Sequence, residues 1–457
     1  MSVSAPAVLQ WIESLVDQDS FLPLSLDYGP EVITGLASVN QRPIALYAHN
    51  TDENRGYISS QAAIKICQLM DKACELRIPI VAFMASPGIS IEEGLASGHE
   101  YTRVMSKNIS LSGIIPQFAV IVAPTLGAPA YSSALMDFIF FNKNRSFLMV
   151  TSPTVVQHAI NEKVTMSELG GASMHASVTG LADFLEDTTA LQIQQVQKLI
   201  NFLPPNNQEH PARSNPVPST KPWPEIPNNP KQPLNINTVI ASIVDNSEWI
   251  EYKKGYGRAM ICAFAYIEGY PVGILANQST RLSGAIDCDV SQKSARFIRI
   301  CDAYNIPILT LIDVPGFMPG KREEQKGLLR SGARFCAAMQ TTVPRLSVII
   351  RKCYGAAAYL LMQTRAQGGD LVLALESADI GVMGEATTAK VKKIDQLTND
   401  KNSDVLAMSS LKNAYDLGLI DEIVKPEQVR PRLGHHLTLL YKKQDIPRPQ
   451  KNPIIDP

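Results

Sequence analysis

Apolar positions along the chain form two kinds of run, and the same order of runs occurs twice. In the first half a β-rich pair, Ile33 to Val39 and Pro43 to His49, precedes a stretch where Ala63, Ile66, Cys67, Met70, Ala73 and Cys74 recur at helical spacing. A short continuous apolar run, Ile80 to Met84, then ends at Pro87-Gly88. A helical segment from Ile91 to Met105 leads to a second buried run, Ala119 to Val122, which ends at Gly127-Ala128. The second half repeats this order. Met260 to Glu268 and Pro271 to Asn277 read as strands, and Ala295, Ile298 and Cys301 fall at helical spacing. Ile308 to Ile312 is a strand closed by Pro315-Gly316. Glu323 to Met339 is a helix, and Leu346 to Ile350 is a strand closed by Gly355-Ala356. Strands alternating with helices predict an α/β fold with right-handed crossovers.

The repetition extends to individual residues. Asp17 and Asp245, Pro43 and Pro271, Pro79 and Pro307, Pro116 and Pro344, and Gly127 and Gly355 are all separated by one and the same interval. An offset that stays constant from the first pair to the last indicates two homologous halves. Between them Pro204 to Leu234 is rich in Pro and Asn, which excludes a regular helix or a central strand and predicts an extended linker. The expected organisation is a domain at 1–203, a linker at 204–234 and a domain at 235–457.

Composition narrows the function classes. With 457 residues, 45% apolar and 19% charged, the chain has the makings of a sizeable core. A net charge near −1 gives no reason to expect nucleic acid or an anionic membrane as partner. No apolar run is long enough to predict a membrane span, and Met1 to Ala7 has no secretory pattern. Seven scattered cysteines without a C-x-x-C pair predict reduced, mostly buried thiols, no structural metal and a cytoplasmic setting.

The chemistry is expected at the turns. Each half has two turns rich in small residues at the C-terminal ends of buried strands. They are Ser86-Pro87-Gly88-Ile89 and Leu126-Gly127-Ala128-Pro129 in the first half, and Val314-Pro315-Gly316-Phe317 and Tyr354-Gly355-Ala356-Ala357 in the second. Ligands in open α/β sheets bind outside such strand ends. A strand entering a helix through tiny residues leaves backbone N–H groups bare, and two such groups converging on one oxygen would stabilise negative charge there. The alternative is that the small residues only permit close packing of helix on strand.

The second half resembles the carboxyltransferase component of biotin-dependent acyl-CoA carboxylases, a branch of the crotonase superfamily. The resemblance lies in Gly269 to Gln278, Lys293 to Asp302, Asn305 to Gly320, Arg351 to Gly355 and Ala378 to Gly384. The first half resembles the same family more faintly, in Ile115 to Gln117, Ala134 to Ile139, Glu168 to Ala172 with His175, and Gly180 to Phe184. The resemblance implies two tandem crotonase-like domains of ββα superhelical type, related by internal duplication. It implies that the second-half turn (Gly316, Phe317, Gly355, Ala356, Ala357) holds carboxybiotin, with Tyr359 and Leu360 beside it. The first-half turn (Gly88, Ile89, Gly127, Ala128) would hold the carbonyl of an acyl-CoA thioester. Lys65, by its place in the first helix, is the candidate for a CoA phosphate contact, the alternative being a solvated helix lysine. His175 and Asp313 are expected to be structural. The implied partners are a separate biotin carboxyl carrier protein and a biotin carboxylase, since neither an Ala-Met-Lys-Met motif nor a G-x-x-x-x-G-K loop occurs. A homo-oligomer, dimer to hexamer, is implied, with each site between the first half of one subunit and the second half of another.

The first half departs from the family pattern. Ala85-Ser-Pro-Gly-Ile-Ser90 stands where members carry Asp-Ser-Gly-Gly-Ala-Arg, and Leu126-Gly-Ala-Pro129 where they carry Ala-Gly-Gly-Ala. Proline has no N–H to offer, so an acyl-side hole must use Ala128 and the Gly88-Ile89 turn. The Gly384 to Leu417 segment is shorter than usual. Two further functions share these features: a decarboxylase subunit running the transfer in reverse, and a catalytically weakened paralogue acting in assembly or regulation.

Overall fold

The computed structural model describes residues 7–25, 27–227, 229–383 and 411–443. Gly384, and the segment beyond it to residue 410, lie outside the described residues. The chain divides into two compact units, 1–211 and 212–457.

In unit 1 helix α1 (Ala7–Leu15) is followed by β1 (Leu22–Leu24), β2 (Val32–Val39) and β3 (Arg42–His49). Helix α2 (Ser60–Leu76) leads to β4 (Ile80–Met84), and α3 (Leu95–Leu111) leads to β5 (Gln117–Ile121). After β6 (Thr125–Leu126) come α4 (Ala128–Leu135), β7 (Phe138–Asn142), β8 (Leu148–Met149) and β9 (Phe184–Glu186). The main sheet runs β1-β2-β3-β4-β5-β7-β9, antiparallel up to β3 and parallel from there on. Unit 2 contributes β10 (Trp249–Tyr252), β11 (Met260–Ile267), β12 (Tyr270–Asn277), β13 (Ile308–Val314), β14 (Arg345–Tyr354), β15 (Leu371–Leu375), β16 (Asp379–Gly381) and β17 (Glu422–Val424). Its sheet order, β10-β11-β12-β13-β14-β15-β17, repeats that of unit 1.

The repeat holds in spacing as well as in order. β2 and β11, β3 and β12, and the starts of β4 and β13 keep the constant offset seen between the paired residues. The hairpin turns carry matching pairs of positive φ angles, 48° and 66° at Asn40-Gln41 and 50° and 76° at Glu268-Gly269, as a two-residue turn between twisted strands requires. In each case one buried or half-buried aspartate holds the turn. Asp17 accepts the Asn40 and Gln41 amides at 2.8 Å, and Asp245 accepts the Glu268 and Gly269 amides at 2.8 Å. Hydrogen bonds, first from the Ser38 hydroxyl and then from the Gln41 amide, hold the Asp17 carboxyl below its usual range.

Three elements differ from the sequence pattern, each for a local reason. Helix α3 starts at Leu95 rather than Ile91, because Gly94 at φ 55° is not helical. The helix expected over Glu323 to Met339 is split into Lys321–Lys326 and Leu328–Ala338 by Gly327 at φ 89°. β14 continues past Ile350 through Arg351 and Lys352 to Tyr354, because a buried aspartate takes up both charges. The Pro- and Asn-rich stretch holds no helix or strand among its described residues, and each end is tied to its own unit. Asn207 N–H reaches Ile114 O at 2.9 Å, whereas Ser214 N–H reaches Gly269 O at 3.0 Å and Arg213 lies over the Tyr270 ring. The seven cysteines are unpaired thiols. No helix of the described residues is long and apolar enough to cross a membrane.

Candidate active site

β4 and β5 lie side by side in the parallel part of the sheet, so the turns that leave them are neighbours. The Leu126 amide donates to Ser86 O at 2.9 Å across the gap. Beyond β4 the backbone on either side of Ile89 is tied down. Ile58 N–H reaches Gly88 O at 3.0 Å, and Ser90 N–H reaches Ile58 O at 2.8 Å. The Gly88 amide donates to Ser86 Oγ at 3.1 Å. Ile89 N–H is left without a protein partner among the described residues. At the second turn the Gly127 amide donates to Met149 O at 3.2 Å. Ala128, first residue of α4, has no side-chain cap and no partner for its N–H among the described residues, as the first turn of a helix leaves it. The turns of unit 1 therefore offer the amides of Ile89 and Ala128, not that of Gly88, and Pro129 has none to offer.

Unit 2 repeats this arrangement. Ile286 N–H reaches Gly316 O at 3.1 Å, Met318 N–H reaches Ile286 O at 2.8 Å, and Phe317 N–H has no partner among the described residues. The helix Gly355–Met362 opens without a side-chain cap, leaving the amides of Ala356 and Ala357 unpaired among the described residues. Ala356 is exposed and Ala357 is buried.

The glycines separate a packing role from a backbone role. A Cβ at Gly29 or Gly257 would strike backbone atoms of the following helix at 2.7 or 3.0 Å. A Cβ at Gly88, Gly127 or Gly316 would meet nothing within 4 Å, and at Gly355 only Val382 O at 3.5 Å. Close packing does not require glycine at these four places. Their φ angles of 138°, 63°, 140° and 66° do, since L side chains disfavour that region.

The roots of the turns are held differently. In unit 2 Asp313, fully buried at the end of β13, pairs with Arg351 Nη2 at 2.7 Å and Lys352 Nζ at 3.5 Å, and accepts the Lys352 amide at 3.3 Å. Arg351 also donates to Gln232 O at 2.8 Å and Ser279 Oγ at 3.3 Å. Burial pulls the Lys352 ammonium below its usual range, and Asp313 opposes that. The aspartate thus orients the strand that carries the Gly355 turn.

Other expected site residues are placed elsewhere. Lys65 is only 2% exposed, and its ammonium donates to Val32 O at 2.7 Å and to Gly29 O at 3.5 Å. Lys293, its counterpart in unit 2, does the same at Tyr256 O (3.0 Å) and Met260 O (2.9 Å). Burial pulls both ammoniums below their usual range. Lys65 is corrected to a pin between helix and strand start, because its ammonium points inward onto carbonyls. Leu360 is 6% exposed, its side chain packed in the core. Tyr359 is 44% exposed, and so is its counterpart Tyr131 at 53%. His175 Nε2 donates to Leu148 O at 2.7 Å and its Nδ1 lies 2.9 Å from the Thr179 hydroxyl, which fixes the strand whose Met149 carbonyl holds Gly127. Ser86 and His49 at the root of the first turn escaped the sequence reading, as did the Arg351-Lys352 pairing. The signal for the pairing was two basic residues ending an apolar run immediately before a glycine turn.

The carboxyl transferase domain model matches residues 5–92 and 54–454. The chain is 34% identical over 438 residues to the propionyl-CoA carboxylase carboxyltransferase subunit of Haloferax mediterranei, covering 91% of this chain and 84% of that one. It is 34% identical over 468 residues to the methylmalonyl-CoA decarboxylase subunit alpha of Veillonella parvula, covering 96% and 91%. Among solved structures, the transcarboxylase 12S hexamer, with methylmalonyl-coenzyme A and methylmalonic acid bound, superposes with a TM-score of 0.91 at 31% identity, over 97% of this chain and 91% of that one. The doubled sheet, the paired glycine turns and these matches agree: the chain belongs to the crotonase-fold carboxyltransferase family of biotin-dependent acyl-CoA carboxylases.

Proposed function

We propose that this chain moves a carboxyl group from carboxybiotin to the α-carbon of an acyl-CoA, holding one oxygen at each pair of turns. Unit 1 supplies the amides of Ile89 and Ala128 to the thioester carbonyl. Unit 2 supplies those of Phe317 and Ala356 to the biotin carbonyl, with Tyr359 beside them. The observation that carries the reading is the pair of unpartnered amides recurring at the same place in the described residues of both units. Carboxybiotin, when bound, would supply the carboxyl group as carbon dioxide and the base for the α-proton, and the Phe317 and Ala356 amides would hold its carbonyl oxygen. The Ile89 and Ala128 amides hold the thioester oxygen, where negative charge gathers as the α-proton leaves and the α-carbon attacks the carbon dioxide. Backbone amides aimed at such oxygens lower the barriers, and no His or Glu dyad is required. Biotin arrives on a separate carrier protein charged by a biotin carboxylase. Copies of this chain assemble, to a hexamer, so that unit 1 of one faces unit 2 of another, and the seven thiols fit a reducing cytoplasm.

The test supplies labelled bicarbonate, ATP, a biotin carboxylase and carrier, and a panel of acyl-thioesters. Label in a thioester is expected. If no thioester is labelled and the charged carrier is not discharged, the reading fails. The reverse direction is a second reading, favoured by the 34% and 35% identity to methylmalonyl-CoA decarboxylase alpha subunits of Veillonella parvula and Propionigenium modestum. Label passing from a carboxylated thioester to the uncharged carrier in preference to the forward reaction marks it.

A further inference from the structure

The two turns of unit 1 keep the backbone shape of those in unit 2 without the ionic network beneath. At the repeat's constant offset, the positions equivalent to Asp313, Arg351 and Lys352 are Ala85, Ala123 and Pro124. Yet Gly88 and Gly316 sit at φ 138° and 140°, and Gly127 and Gly355 at 63° and 66°. Different side chains must hold the same conformation.

Two do, both fully buried. His49 ends β3, where unit 2 has Asn277. Its Nδ1 accepts the Ala85 amide at 3.2 Å, at the point where the turn leaves β4. An accepting Nδ1 places the ring proton on Nε2, and burial keeps the imidazole neutral, its pKa pulled down to about 3. Ser86 stands where unit 2 has Val314. Its hydroxyl donates to Gly56 O at 2.7 Å and accepts from the Gly88 amide at 3.1 Å. In unit 2 the carbonyl equivalent to Gly56 O, that of Gly284, is served instead by Asn277 Nδ2 at 3.0 Å. The partners are thus exchanged: Ser86 serves the glycine carbonyl, which frees position 49 to hold the amide at the root of the turn.

We infer that His49 and Ser86 are positioning residues of the acyl-side hole, a neutral scaffold doing for unit 1 what the Asp313 network does for unit 2. His49 anchors the first amide of the turn. Ser86 occupies the Gly88 amide, so that Ile89 N–H is the donor the turn presents beside Ala128. The inference rests on the assignment of unit 1 to the thioester.

The test separates the two holes. Transfer from carboxybiotin carrier to acyl-CoA reads both, and discharge of the charged carrier without acyl-CoA reads unit 2 alone. Ser86→Ala and His49→Leu are expected to lower kcat for transfer roughly 10- to 100-fold, the scale of a small misplacement of a catalytic group. KM for acyl-CoA and the discharge rate stay near wild type. His49→Asn, which keeps an acceptor near the Nδ1 position, retains most of the transfer rate. Unchanged kcat in Ser86→Ala and His49→Leu overturns the inference, and so does loss of discharge in step with transfer, which marks general unfolding. Should the wild type discharge carrier yet label no thioester, the assignment of unit 1 falls, and the inference with it.

Discussion

Replacing Asp313 by Ala removes the single anion from a site that holds two cations. The three side chains are 1%, 4% and 8% exposed. Breaking a buried ion pair by deleting one partner costs about 3–5 kcal/mol, because the remaining charge is left uncompensated. Lys352 relieves part of this by losing its proton, since burial already lowers its pKa and Asp313 is what opposed that. Arg351 cannot do so, and the expected cost is therefore near the lower end, about 3 kcal/mol. For a unit of this size that corresponds to a fall in unfolding temperature of roughly 6–12 °C. Unit 1 provides the internal control, since it folds with Ala85, Ala123 and Pro124 in these places. A triple variant, Asp313→Ala with Arg351→Met and Lys352→Met, removes all three charges and keeps an apolar stem at each cation position. It forgoes the Arg351 bonds to Gln232 O and Ser279 Oγ, about 1 kcal/mol each. It is expected to unfold at a higher temperature than Asp313→Ala alone, by differential scanning calorimetry at pH 7. If the triple variant unfolds at the same temperature as the single variant or lower, the cost does not come from stranded charge, and the electrostatic account of this turn is wrong.

Other outcomes follow from the same geometry. Ala128→Pro removes the one α4 amide assigned to the thioester while suiting the first position of a helix. It is expected to reduce kcat for carboxyl transfer by roughly 100- to 1,000-fold with carrier discharge intact, measured by label transfer in parallel with discharge. Lys65→Met strands the Gly29 and Val32 carbonyls, so unfolding stability drops by about 1–3 kcal/mol. KM for CoA thioesters stays unchanged, and a selective rise in KM would return Lys65 to the phosphate role. His49 is neutral when folded and has a pKa lowered from 6.5 to about 3. Between those values the unfolded chain binds a proton that the folded one refuses. Its stability contribution is therefore present above pH 6.5 and falls by about 1.4 kcal/mol per pH unit on acidification, roughly 2 kcal/mol by pH 5. Chemical denaturation across that range is expected to show this slope, and His49→Asn to flatten it.

What was legible in the sequence is what backbone geometry imposes. The strand–helix order, the constant offset between the halves and the four turn glycines are visible because burial and positive φ each restrict residue type strongly. What was misread depended on where a long side chain points. Lys65 sits among apolar positions of α2, and a lysine there reads as reaching outward, to a CoA phosphate or to solvent, until its ammonium is seen on two carbonyls. Lys293 at the same register was an available sign, since a solvated lysine has no reason to recur. Arg351 and Lys352 read as the end of a strand because the partner that neutralises them, Asp313, comes from the neighbouring strand and is distant in sequence. Ser86 and His49 were missed for a different reason: each acts through hydrogen bonds to the main chain, which neither composition nor periodicity records.

The divergence between units has a physical basis in where the donors come from. When an oxygen is bound by main-chain N–H groups, the selected quantity is the course of the backbone, and any side chains that hold it serve equally. Unit 2 meets that demand with one carboxylate and two cations, unit 1 with an imidazole and a hydroxyl, and the φ angles nearly coincide at both glycine pairs. This explains why the family pattern is faint in the first half although the sheet order is the same. It also removes the main argument for a weakened paralogue, which rested on the loss of the acid and of an Arg from the Ala85–Ser90 loop. Here the turn is held without those charges, by His49 on the Ala85 amide and Ser86 on the Gly88 amide. The discriminating quantity is accordingly the position of the Ile89 and Ala128 amides rather than the identity of the side chains around them. Ser86 on the Gly88 amide and His49 on the Ala85 amide, both fully buried, hold the turn in the backbone course that an acyl-side hole needs.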